Sequence, residues 1–381
     1  MWVFGSIGSV LFIFLILVDA FEAMVQPRRV LRRFRLAKFF YRSNWTFWRL
    51  AALYMRPGKQ RESYLSLFGP LSMLALFVVW MLGLILGFAW LHYSLDTTLH
   101  SSEAQIDFLT YVYLSGVTFS TLGFGDVVAV APLGRMLTVA EASLGFGFLA
   151  CVIGYLPAIF QAFSRREVTI SLLDARAGSP PCASQLLLRA ARARNSLAVI
   201  PFLAEWERWA AELLESHLSF PVLSYYRSQH DNQSWLAALT TILDTCALII
   251  AGVQDIDPYQ ARLTFAMARH AAVDLALVFR TPPHSSPVDR LPAERLAALR
   301  EAFNKTGLTM DGGLASDAKL KELRAMYEPF VNALAEFFLF NLPPVFVEKP
   351  TVDNWQTSAW TKRTPGIGNL SVGTSEDEHF S

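Results

Sequence analysis

Residues 118–126 read Thr118-Phe119-Ser120-Thr121-Leu122-Gly123-Phe124-Gly125-Asp126. One apolar run precedes this stretch at 106–119, and another follows it at 133–163. From Thr121 to Gly125 two glycines alternate with bulkier residues; a hydroxyl opens the segment and the Asp126 carboxylate follows it. Glycine takes φ > 0 without steric cost, so this spacing permits a backbone whose successive carbonyls face the same way.

Working outward, the run Ile106 to Phe119 is too short to cross a bilayer, which needs about 20 apolar residues. Followed directly by the glycine segment, it reads as a re-entrant helix. Irregular backbone at membrane depth is tolerated only where protein buries it or water lines it. Pro132 and Gly134 mark a turn, and 133–163 is a spanning helix that closes at Arg165-Arg166. On the other side, 65–91 is a second span, with Trp80 and Trp90 as interfacial candidates and Pro70 near its start. The polar segment 92–105 contains no lysine or arginine, as expected outside the membrane.

Farther toward the N-terminus, 1–24 is apolar and long enough to span. It lacks a basic start and a small-residue cleavage site, so it reads as a retained helix rather than a signal peptide. Asp19 and Glu22 lie near its inner end. Between this helix and 65–91 come Arg28, Arg29, Arg32, Arg33, Arg35, Lys38, Arg42, Arg49, Arg56, Lys59 and Arg61, opposed only by Glu62. The excess of basic residues puts 25–62 in the cytoplasm and the N-terminus outside. Phe39, Phe40, Tyr41, Trp45, Phe47 and Trp48 are interleaved with them, a mixture suited to an amphipathic helix on anionic lipid at 28–61. A voltage sensor needs a basic residue at every third position of an apolar helix; paired arginines in a polar loop do not supply that.

The chain has 381 residues, 53% hydrophobic and 17% charged, with mean hydropathy +0.33. That composition points to a membrane protein. A net charge of +1 gives no reason to expect nucleic acid as a partner. Cys151, Cys182 and Cys246 show no CxxC spacing and read as reduced, packed thiols.

From 167 to 347 helical periodicity dominates, with amphipathic segments at 185–195, 197–217, 232–252, 258–280, 292–304 and 318–341. No alternating strand pattern occurs there, which excludes a Rossmann-like regulator and a cyclic-nucleotide β-roll. Trp206, Trp209 and Trp235 read as core or subunit-interface aromatics. His217, His230, Asp231 and Asp244 form a speculative regulatory or metal site, weighed against helix capping by Asp231 or Ser234 and hydrogen bonding between helices. The remainder, 348–381, reads as a flexible tail. No motif of enzymatic chemistry stands out, and the chain is read as non-enzymatic and free of cofactors.

The stretch Thr121-Leu122-Gly123-Phe124-Gly125-Asp126 resembles the TVGYG-type selectivity filter of potassium channels, in its GFGD form. The resemblance covers about residues 65–165 and implies the pore-only architecture: an outer helix 65–91, a pore helix 106–119, the filter 121–126 and an inner helix 133–163. The expected fold is an all-α membrane protein. It combines a tetrameric pore (63–166), an extra N-terminal span (1–24), a basic linker (25–62) and a helical cytosolic domain (167–347). By the same resemblance, Thr121, Leu122, Gly123 and Phe124 would offer oxygens to potassium, Gly125 would complete the strand, and Asp126 would sit at the outer mouth. A ring of such carbonyls from four copies can replace the ion's hydration shell, and the C-terminal end of the pore helix favours a cation.

The sequence departs from the family at Leu122, where Val is usual, and at Phe124, which lacks the hydroxyl of Tyr. It departs again at Val117, which replaces a carboxylate that pairs with the aspartate in some relatives. Asp126 therefore needs another partner. Thr118 and Glu141 are candidate filter supports, Glu141 because a carboxylate inside a span marks function. Gly145, Gly154 and Pro157 are hinge candidates, Gly145 equally a close-packing residue. The expected function is passive potassium conduction across the cell's inner membrane, with the cytosolic domain answering an unidentified ligand. The alternatives are a weakly selective cation channel and a membrane-anchored sensor with a vestigial pore.

Overall fold

The computed structural model describes residues 2–26, 35–101, 106–230 and 233–348. Arg28, Arg29, Arg32 and Arg33, Asp231, and the tail from 349 fall outside these. The chain forms two compact units. The first comprises the described residues of 1–161 together with Ser219–Tyr226; the second comprises those of 162–218 and 227–348. It is an all-α membrane protein.

In the first unit, α1 (Trp2–Met24) lies antiparallel along α4 (Phe68–Ser94). Gly83 and Gly87, one turn apart on α4, receive Ile16 and Ile13; a Cβ added there would come within 2.6 and 2.7 Å of those side chains. Small residues let spanning helices approach closely, because lipid supplies no hydrophobic drive between them. At the inner end of α1, Asp19 is buried and accepts hydrogen bonds from Trp80 Nε1 (2.9 Å) and from the backbone N–H of Ala37 (3.0 Å). That second bond satisfies a first-turn amide of α2 (Leu36–Tyr54), whose own N-cap, Arg35, supplies no side-chain cap. Glu22 pairs with Arg35 at 3.5 Å. Both acids at the edge of the span thus have structural work.

A short α3 (Lys59–Ser66) follows and is fastened to α2 by Trp48, which stacks on Tyr64 at 4.6 Å. After α4, β1 (Leu99–Ser101) pairs antiparallel with β2 (Val127–Ala129), with Leu99 opposite Ala129. This small ladder, absent from the sequence reading, closes a loop around α5 (Phe108–Phe119) and the glycine stretch. Its inward residues Leu99, Val127 and Ala129 pack with Ala89, Tyr111 and Leu114. Helix α5 starts where Asp107 accepts from Thr110 N and Thr110 Oγ1 accepts from Asp107 N, a capping box.

Helix α6 runs from Pro132 to Ala177, so the inner helix extends well beyond the expected end at Phe163. Pro132 is its first residue rather than part of a turn; with φ preset and no N–H to lose, proline suits that position. The segment Ser219–Tyr226, which includes a 3-10 turn, also belongs to this unit. Its Phe220 meets Tyr155 of α6 edge-on at 5.5 Å. Tyr225 is buried among Trp45 (5.1 Å) and Phe68 (5.0 Å), and the Tyr226 ring occupies the space beside Gly69.

The second unit is built around α9 (Trp235–Gly252), with α7 (Ala183–Arg192), α8 (Val199–Ser219), α10 (Pro258–Phe279), α11 (Ala293–Lys305), α12 (Leu314–Ala325) and α13 (Glu328–Phe338). Ser234 caps α9 by accepting from Ala237 N at 3.0 Å. The expected single helix 318–341 is instead two, with the break at Tyr327. Pro329 explains it: its ring removes the N–H that would bond to the Ala325 carbonyl and clashes with that carbonyl. Among the described residues the second unit holds no strand beyond an isolated bridge, Val253 to Met310.

Candidate conduction site

The backbone of the glycine stretch alternates in handedness. Positive φ recurs at Thr121 (56°), Gly123 (55°) and Gly125 (81°), with Leu122 and Phe124 between them outside that region. For a threonine this conformation costs about 1–2 kcal/mol, so the surrounding structure must impose it. It does so through the last turn of α5. The Val117 carbonyl accepts from both Leu122 N (2.8 Å) and Gly123 N (3.3 Å), and the Thr118 carbonyl accepts from Thr121 N (2.9 Å). Thr118 itself is buried. Leu122 and Phe124 are 59% and 66% exposed within the chain, and among the described residues, neighbours in sequence aside, none comes within 4 Å of a Cβ placed on Gly123 or Gly125.

Asp126 has its partner. Tyr113 Oη donates to Asp126 Oδ2 at 2.7 Å. Tyr113 was not foreseen, although it stands one helical turn before Val117, the position that sequence reasoning had inspected. The hydrogen bond holds the exposed Asp126 carboxyl below the usual carboxylate range.

Gly145 is required by packing. A Cβ there would lie 2.0 Å from the Phe119 carbonyl oxygen and 2.8 Å from its carbon. Helix α6 therefore passes against the end of α5, and only glycine allows it. A Cβ added at Gly154 would meet none of the described residues outside its own helix turn within 4 Å, and α6 continues unbroken through Pro157, which leaves the Ile153 carbonyl without its usual helical donor.

Glu141, one turn before Gly145, is fully buried. Its Oε2 lies 3.7 Å from His92 Nε2 of α4, itself fully buried, and it faces Ser115 of α5. His92 Nδ1 is 3.3 Å from Thr97 Oγ1. Neither His92 nor Ser115 was among the expected site residues; His92 had been placed in the external loop.

The speculative regulatory residues do not assemble. His217 is buried, with Nδ1 donating to the Leu213 carbonyl at 2.8 Å and Nε2 facing Arg166 Nη1 at 3.3 Å. Burial, then the adjacent guanidinium, hold its pKa well below the usual histidine value. Asp244 is taken up by Arg290 and the Tyr327 hydroxyl. His230 is exposed, and Asp231 lies outside the described residues. Among the described residues no group of three or more His, Cys, Asp or Glu side chains is placed to hold a metal.

A family profile described as "Ion channel" matches residues 78–162, from within α4 to beyond Pro157 in α6. Protein LctB of Bacillus caldotenax is 32% identical over 93 residues, an alignment that spans 22% of this chain and 69% of LctB. The chain belongs to the ion channel family. No solved structure matches it. The residues of this ion channel that carry the match contain α5, the glycine stretch and Gly145, the elements whose geometry is described above.

Proposed function

We propose that this ion channel is a homotetramer that conducts potassium selectively and passively. Carbonyls of Thr121, Leu122, Gly123 and Phe124 and the Thr121 hydroxyl would form the ion sites, with no cofactor. The alternating handedness at 121, 123 and 125 carries the reading, because it is the backbone that turns successive carbonyls to one side. One strand surrounds a cation on one side only, so several copies must converge on an axis; the exposed Leu122 and Phe124 side chains would then be covered by neighbours. Tyr113 and Asp126 brace the outer mouth, while Thr118 and Gly145 hold the inner end.

The basic residues from Arg28 to Arg61 and at Arg165-Arg166 orient the protein in the inner membrane with its N-terminus outside and its C-terminus in the cytoplasm. Helix α2 carries Lys38, Arg42 and Arg49 beside exposed Phe39, Phe47 and Leu53, which suits anionic lipid. Regulation by the cytosolic domain draws support from Ser219–Tyr226. The segment between α8 and α9 belongs to the first unit and seats Phe220 on Tyr155 of α6; Tyr155 stands two residues before Pro157, a hinge candidate with Gly154.

The test is flux in liposomes containing the full chain. Potassium permeation blocked by barium supports the reading; equal sodium and potassium permeation overturns selectivity. Gly123→Ala places a side chain at φ 55° and should abolish current while the tetramer persists. A variant that conducts like the parent overturns the assignment of the filter.

A further inference from the structure

Three helices meet at one buried polar cluster that conduction itself does not use. His92 comes from α4, Ser115 from α5 and Glu141 from α6, and each is 0% exposed. Among the described residues, both Glu141 oxygens, His92 Nε2 and Ser115 Oγ find no partner at hydrogen-bond distance; they face one another instead, with the His92 and Glu141 atoms 3.7 Å apart. A lone ionised carboxylate in such a place is costly, and so is a lone imidazolium. The cluster is therefore most stable with net charge zero, one proton being held between histidine and glutamate. His92 from α4 is the titratable group facing Glu141, and Ser115 from α5 is the neutral polar one.

Its position gives the cluster leverage. Glu141 and Gly145 are four residues apart and share a face of α6, and Gly145 lies against the Phe119 carbonyl. Ser115 stands two residues before Val117, whose carbonyl holds the Leu122 and Gly123 amides. A change in the distance between α6 and α5 at Glu141 is thus transmitted to the two residues that fix the start of the filter.

We propose that His92, Ser115 and Glu141 form a proton-holding bracket behind the pore helix, and that Glu141 is a positioning residue whose protonation sets the lifetime of the conducting filter. With one proton in the cluster, a contraction of less than an ångström brings the 3.7 Å contact into hydrogen-bonding range. A second proton leaves a net positive charge buried between three helices, and the bracket opens to relieve it. The inference rests on the reading of residues 121–125 as the conducting strand.

The experiment records single channels of the full protein in planar bilayers with symmetric potassium. Acidification across about pH 8 to 5, the range in which histidine charge changes, should reduce the current of the parent protein about tenfold. Glu141→Gln keeps the shape and is neutral with no proton held, so a proton taken up in acid still leaves the cluster positive, and its profile should stay within about twofold of the parent's. His92→Gln leaves only the carboxyl, which reaches net zero when it takes up a proton, and should flatten the profile to within about twofold; if it fails to assemble, loss of the acid response in Glu141→Gln overturns the bracket instead. His100→Gln, on exposed strand β1, should leave the profile as in the parent. A conducting parent with no pH response, or a His92→Gln profile equal to that of the parent, overturns the bracket alone. A parent that conducts no potassium overturns the conduction reading, and the bracket with it.

Discussion

Helices α6 and α9 each hold an apolar stretch of at least 18 residues, yet their environments are opposite. Of the apolar stretch of α6, 11% is buried within the chain; of that of α9, 89%. Helix α9 has 18 residues, about 27 Å, short of the roughly 30 Å hydrocarbon core. It also carries Thr240, Thr241 and Thr245, whose hydroxyls return to carbonyls one turn back, and an aspartate engaged by an arginine and a tyrosine. Helix α6 offers Met136, Val139, Phe146, Leu149 and Ile153 to its surroundings. Apolarity measures a helix's aversion to water; the polar residues within it indicate whether protein or lipid is the intended solvent.

The comparison is broken most sharply at the buried charges. Asp244→Ala leaves Arg290 without its main partner in the core of the second unit, with Glu328 at 3.3 Å as the remaining acid. Removing one member of a buried pair costs about 3–5 kcal/mol, and the cost should appear as a lower denaturant midpoint for the second unit. A loss under about 1 kcal/mol would mean that the pair is solvated and that α9 is not a core helix. Next in size, Leu239→Ala on α9 should cost about 2–5 kcal/mol, because no water or lipid fills the space. Ile153→Ala on α6, whose side chain is exposed within the chain, should cost far less in a detergent-solubilised single chain. Equal costs at the two sites would erase the distinction.

What the sequence made legible follows from range. The apolar helices depend on neighbours a few residues apart, and the ends of Trp2–Met24, Phe68–Ser94 and Phe108–Phe119 and the start of α6 at Pro132 lie within three residues of the expected ones. The break at Tyr327 was equally readable, since Pro329 stood in the middle of the expected helix. The β1–β2 ladder was not: three residues per strand carry no alternation. Partnerships were the least legible. Nothing local tells that His217 answers Arg166, 51 positions away, or that Asp244 answers Arg290, 46 away, and the donor set read as a metal site becomes two separate ion contacts. Gly145 shows the same limit, because only the position of the Phe119 carbonyl decides between bending and packing.

A smaller effect tests the buried histidine. His217 is held neutral in the folded unit, whereas the unfolded chain protonates near 6.5. Between the depressed folded value and 6.5 the unfolded state binds more protons, so stability rises with pH there. The second unit should be unaffected by pH above about 7 and should lose up to about 1.4 kcal/mol for each pH unit below 6.5. His217→Gln should remove that slope, as read by denaturant midpoints at pH 7.5, 6 and 5. An unchanged slope in the variant would place the acid sensitivity elsewhere and leave His217 as a packing residue only.

The smallest effect belongs to the exposed end of the comparison. Tyr113 and Asp126 share a hydrogen bond at the end of the proposed filter, in contact with water, where the interaction competes with solvation. Tyr113→Phe keeps the ring and removes only the donor. Overall stability should not change measurably. The readout is functional: on the proposed reading of 121–125, with Phe124 unable to offer a hydroxyl and Val117 unable to pair with Asp126, this bond ties the outer mouth laterally, so the conducting state of the variant should shorten about two- to fivefold in bilayer recordings, the scale of one exposed hydrogen bond. If conduction is unaltered, the mouth is braced by contacts between copies rather than within one, and the weight of the filter's support shifts inward, to Val117, Thr118 and Gly145.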